Sequence, residues 1–99
     1  MRSTLQRLSA WYSQQCNGDW EHGFGFKIST LDNPGVAVDI DLRDTPLETV
    51  PFAERKDDYE STDRWMLCRR NLDTFEGRGA PDRLEDSIEE FLRWAESHR

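Results

Sequence analysis

Asp19, Glu21 and His22 lie within one short stretch, Asn17-Gly18-Asp19-Trp20-Glu21-His22, the chemically densest in the chain. Two carboxylates beside an imidazole are a common set for moving protons, because imidazole titrates near neutral pH and a neighbouring carboxylate orients it. A small hydrolase built on Asp19, Glu21 and His22 is therefore one reading of the segment. Against it, the spacing specifies no known catalytic geometry, and no second His-rich, Ser-based or Cys-based element completes it. The other histidine, His98, stands next to the end of the chain. Cys16, His22 and Cys68 could hold a metal only if folding gathered them, since neither a C-x-x-C nor an H-x-x-x-H spacing is present. Packed thiols fit the cysteines better, and no metal or cofactor is expected. Gly77-Arg78-Gly79 is too short for a phosphate-binding loop and lacks a following Lys-Ser/Thr, so Asp73 to Ala80 reads as a Gly-punctuated turn region.

The elements that must position this stretch are legible on either side of it. Residues 3–16 carry Leu5, Leu8, Tyr12 and Cys16 on one helical face, with Trp11 at its edge. Ser3 with Gln6 three residues on is a capping box, and Asn17-Gly18 ends the helix. After the dense stretch, Phe24, Phe26 and Ile28 alternate with Gly25, Lys27 and Ser29. Val36, Val38, Ile40 and Leu42 then alternate with Ala37, Asp39, Asp41 and Arg43. Asp32-Asn33-Pro34-Gly35 between the two runs makes them a β-hairpin at about 23–31 and 35–43. Arg64 to Asn71 is a further strand, with either Trp65 and Leu67 or Met66 and Cys68 facing inward. The last helix starts near Asp82, which forms a second capping box with Glu85. It carries the stripe Leu84, Ile88, Phe91, Leu92 and Ala95.

The expected fold is α+β, a small antiparallel sheet of three or four strands covered on one face by N- and C-terminal helices, with residues 1–99 forming a single domain. Its core would bury Leu5, Leu8, Tyr12, Phe26, Ile28, Val38, Ile40, Ile88, Phe91 and Leu92. Trp20, just before the hairpin, would close one end of that core, and Glu21 beside it would accept nearby hydrogen bonds.

The net charge of −7 is spread over the chain, with 7 acidic and 4 basic residues in 1–50 and 13 acidic and 9 basic in 51–99. A phosphate backbone would be repelled, which argues against nucleic acid, while a basic protein partner would be drawn in faster at low salt. No run approaches the roughly 20 apolar residues a membrane span needs, and the N-terminus has no continuous apolar signal core, so a cytoplasmic protein is expected. Residues 44–63 have no sustained period and carry seven acids and two prolines. A surface connection of that length is usually functional or mobile, although Leu47, Val50 and Phe52 should pin its first half. Its Asp57, Asp58, Tyr59, Glu60 and Asp63 are candidates for contact with a partner. So are Glu85 and Glu89 on the outer face of the last helix, and Trp20 and Glu21.

Several of these features together resemble the immunity protein 53 family of bacterial polymorphic toxin systems. They are Trp11-Tyr12, then Gln15-Cys16-Asn17-Gly18-Asp19-Trp20-Glu21-His22, Gly25, the Leu31-Asp32-Asn33-Pro34-Gly35 turn, and Asp41-Leu42. Trp65 with Cys68, Phe75-Glu76-Gly77, Gly79 and the stripe from Leu84 to Ala95 extend the likeness to roughly residues 5–96. The resemblance implies a small bacterial cytoplasmic protein that protects its producer by binding a cognate toxin domain, with no catalytic activity. The positions shared by the family correspond to Trp20 and Glu21. A regulatory or scaffold subunit of a larger assembly is the remaining alternative, and the sequence leaves oligomeric state open.

Overall fold

The computed structural model describes residues 2–98. Its elements in chain order are α1 (Thr4–Gln15), α2 (Trp20–Gly23), β1 (Phe26–Leu31), β2 (Gly35–Asp41), β3 (Arg55–Asp57), β4 (Met66–Asn71), β5 (Thr74–Gly79) and α3 (Leu84–Glu96). The capping box of α1 forms as its sequence demands: Gln6 N–H donates to Ser3 Oγ at 3.1 Å, and Ser3 N–H donates to Gln6 Oε1 at 2.8 Å. The helix α3 begins at Leu84, and Arg83 in the capping position makes no side-chain cap bond, so the expected Asp82–Glu85 box is absent. Ala80 accepts from Arg83 N–H, which leaves Asp82 in the turn before the helix.

All five strands form one antiparallel sheet in the order β1-β2-β5-β4-β3, correcting the expectation of three or four. Both additional strands come from segments read as irregular. The Gly-punctuated turn region is β5, the central strand of the sheet. There Phe75, Gly77 and Gly79 point to one side and Glu76 and Arg78 to the other, so the alternation is present with two side chains missing. A Cβ on Gly77 would come within 2.7 Å of Val38 and 3.0 Å of Ser87, and one on Gly79 within 2.8 Å of Arg83. The glycines admit the start of α3 onto the strand. The other addition, β3, is three charged residues inside the long connection, paired to β4 at the sheet edge.

In the β1–β2 hairpin, Phe26 stands opposite Ile40 and Ile28 opposite Val38. The peptide bond before Pro34 is cis, and Gly35 serves the close approach of β5, since a Cβ would meet the Gly79 carbonyl at 2.6 Å. In β4 the register resolves with Met66 and Cys68 buried. The row Phe26, Ile40, Phe75 carries contacts from both long helices: Tyr12 of α1 packs on Phe26, and Phe91 of α3 on Phe75. Both helices therefore cover the same face. The opposite face carries an ion-paired ladder, with Arg78 bound to Asp39 and Arg69 to Glu76, each at 2.9 Å.

Leu8, Val38, Ile40, Ile88, Phe91 and Leu92 are buried, as expected, and Tyr12 and Phe26 are half-buried against them. Leu5 and Ile28 are not part of the core: they are 57% and 39% exposed. Ile28 sits on an edge strand with β2 on one side only, and Leu5 sits on the flank of α1 turned away from α3. Cys68 lies beneath α3, where burial pushes its thiol up to about 12. Arg70 holds the first half of the long connection. It donates to the carbonyls of Leu47 (2.8 Å), Val50 (2.5 Å), Glu48 and Leu72 (2.8 Å). Leu47 is buried beneath it, with Val50 and Phe52 packed on the core. No helix among the described residues is long and apolar enough to cross a membrane.

Candidate partner-binding surface

The second half of the long connection is built around Arg83. This residue is 7% exposed, and its guanidinium meets three carboxylates: Asp57 at 2.5 Å, Asp86 at 3.0 Å and Asp58 at 3.6 Å. It also donates to the Arg64 carbonyl at 2.7 Å. One cation thus joins β3, the start of α3 and the residues leading into β4. The hydrogen bond from Arg83 comes first among the causes that hold the Asp57 carboxyl below its ordinary range. Between Asp58 and Arg64 the chain organises itself. Asp58 takes φ of +47°, its carbonyl accepts from Ser61 N–H, and Ser61 Oγ donates to Asp63 at 2.9 Å while accepting from Arg64 N–H.

Tyr59 stands out of this turn at 48% exposure. Its ring meets Trp65 edge-on at 6.3 Å, and the Lys56 ammonium lies 4.9 Å from its centre. A tyrosine braced on its inner side and open on its outer side loses little side-chain entropy on contact with a partner. Asp58, Glu60 and Asp63 of the same turn are exposed acids, Asp58 while also paired with Arg83 and Arg64. Asp57, of the same group in the sequence, is half-buried and turned inward to Arg83.

The other candidates lie elsewhere. Glu85 is exposed in the first turn of α3, near the Arg83 cluster in sequence. Glu89 faces α1: it accepts from Thr4 Oγ1 at 2.5 Å and from Arg7 at 2.9 and 3.0 Å. The Thr4 bond, then Arg7, lowers its pKa.

Trp20 is 4% exposed, meets Trp11 edge-on and Tyr12 and Phe24 at a tilt, and donates its indole N–H to the Arg43 carbonyl at 2.8 Å. The two oxygens of Glu21 accept from the backbone N–H groups of Asn17 (3.0 Å) and Gly18 (2.8 Å), where Gly18 takes φ of +91°. Its own backbone N–H, then those two, hold this carboxyl below its usual range. The segment is therefore the short helix α2 fastened to the end of α1. The expectations that Trp20 closes one end of the core and that Glu21 accepts nearby hydrogen bonds hold.

As for proton chemistry, Glu21 and His22 line a shallow cleft of about 430 Å³ with Lys27, Asp39 and Asp41, while Asp19 is not among its walls. Asp41 in that cleft accepts from Gly25 N–H at 2.9 Å. The trio Cys16, His22 and Cys68 is not gathered, and no group of three or more His, Cys, Asp or Glu suited to a metal occurs among the described residues. Sequence reasoning missed Arg83, Arg70 and Ser61, which shape the connection. No local pattern could have found the bonds that hold the connection, because those acceptors lie 19 to 26 residues from the arginines.

A family model described as Immunity protein 53 matches residues 5–96. No curated protein and no solved structure matches the chain.

Proposed function

The chain belongs to the immunity protein 53 family, and from that premise we propose that it binds a cognate toxin domain in the cytoplasm of its producer and neutralises it by direct contact. The contact surface in this reading is the turn from Asp58 to Arg64, with Glu85 at its border. Tyr59 is the central anchor, and Asp58, Glu60 and Asp63 are the rim that draws in a basic partner. The observation that carries it is the placement of Tyr59: a large side chain half in water, braced by Trp65, in a turn whose Asp58, Glu60 and Asp63 are exposed. Central aromatics dominate binding energy, whereas rim charges tune association rate. Asp57 serves from behind by fixing the turn to Arg83. Catalysis plays no part in this reading, since a protein that occludes its target needs none.

The test is to produce the toxin domain encoded next to this chain and measure binding and protection. Tyr59→Ala should raise the dissociation rate, and Asp58→Asn with Glu60→Gln and Asp63→Asn should slow association and flatten its salt dependence. Undiminished protection and unchanged kinetics in both variants would move the interface to the Asn17–His22 edge.

A further inference from the structure

The two edges of the sheet are treated differently. The β3 edge is three residues long, all charged, which discourages further strand pairing. The β1 edge has six residues, no proline, no bulge partner and a single charge, Lys27. Asp41 N–H donates to the Gly25 carbonyl, and the register continues that pairing through Lys27, Ser29 and Leu31. The intervening Phe26, Ile28 and Thr30 consequently turn their N–H and C=O groups outward, and among the described residues no backbone group bonds them.

Ile28 and Leu5 are two of the four large apolar side chains that stand exposed among the described residues. Ile28 is on the strand itself. Leu5 lies two helical turns before Tyr12 on the same stripe of α1, and Tyr12 packs on Phe26 of β1. Both belong to apolar periodicities that run into the core elsewhere and both are left open, Ile28 where the sheet stops.

We infer that β1 is a self-pairing edge, on which a second copy of this chain adds its own β1 antiparallel to make a continuous ten-stranded sheet. The outward groups at 26, 28 and 30 are symmetric about Ile28, so a two-fold axis there pairs Ile28 with its own copy and Phe26 with Thr30. Lys27 then faces Ser29, and no like charges oppose one another across the seam. The edge strand holds no carboxylate in an otherwise acidic chain, so a second copy meets less repulsion here than elsewhere. A basic partner would gain nothing from its one charge. The acidic turn around Tyr59 lies beyond the opposite edge, so pairing leaves it free in both copies. The inference does not depend on the proposed function.

Sedimentation velocity and equilibrium on the full chain test it, from about 1 µM to about 1 mM. The expected result is reversible association from the 11.7 kDa chain to twice that mass. It should tighten with salt, because each copy carries −7. Thr30→Pro removes an outward donor without touching the β1–β2 bonds, and Ile28→Lys places like charges on the axis. Each should weaken association at least about tenfold while the thermal transition stays cooperative. Should the proline variant fail to fold, the lysine variant decides. A chain that stays at single mass throughout the range in 0.5 M salt overturns the inference. So does a dimer that neither folded variant weakens.

Discussion

Between β2 and β4 the chain passes two arginines that hold it by different means. Over residues 45–52, Arg70 gathers backbone carbonyls from Leu47, Glu48 and Val50 while Leu47 is buried beneath. Over residues 57–64, Arg83 gathers side-chain carboxylates from Asp57 and Asp58, and the turn beyond them faces water. A carbonyl acceptor does not titrate and is little affected by salt, whereas a half-exposed carboxylate is sensitive to both. The first half of the connection is thus part of the core. The second is a surface whose order is conditional on its charges.

The sharpest test of that contrast is truncation. Leu47→Ala removes a fully buried side chain and should cost about 2–5 kcal/mol in urea unfolding. Tyr59→Ala, 48% exposed in the other half, should stay within about 0.5 kcal/mol. Comparable losses would break the comparison. Next come the arginines themselves. Arg70→Met strips several carbonyls of one donor and should cost about 1.5–3 kcal/mol. Arg83→Met leaves carboxylates that water can reach and should cost about 1 kcal/mol, with its main effect a new proteolytic cut between Asp58 and Arg64. A cut near Leu47 instead would reverse the assignment.

Acid should separate the halves further. The folded pKa of Asp57 is lowered from an ordinary 3.8, so its contribution is present above that value and is lost as pH falls through the depressed one. Pepsin in mild acid below pH 3.8 should then cleave beside Tyr59 before it cleaves beside Phe52, and simultaneous cleavage would show that the halves open together. The smallest effect is salt at neutral pH. Raising it to 1 M should speed amide exchange in residues 58–64 by a few-fold and leave 46–50 unchanged, because only the former rest on screened ion pairs.

This contrast was half legible in the sequence. The apolar spacing of Leu47, Val50 and Phe52 announced the pinned half, and the run of acids announced the wet one. The guanidinium partners were hidden, since backbone carbonyls are the same at every residue and leave no mark in a sequence. The hairpin of β1 and β2 and the stripe of α3 were readable because each repeats one period over several apolar residues. β5 was not, because Gly77 and Gly79 occupy the two inward positions where side chains would have shown the period, and the space they leave is filled by Ser87 and Arg83. Leu5 and Ile28 show the opposite failure: their pattern is apolar, but nothing in a pattern says where a sheet ends.

The four indoles are shared unequally between these regions. Trp11, Trp20 and Trp94 belong to one network of touching rings, joined through Phe91, which the core keeps from water. Trp65 is apart, its ring against Tyr59 at the acidic turn. Light absorbed by this protein is therefore emitted from two environments, one that changes only when the fold is lost and one that senses what touches the turn. Replacing Trp65 with Phe would silence the second alone, and the difference between the two spectra is a built-in optical readout of the state of that turn.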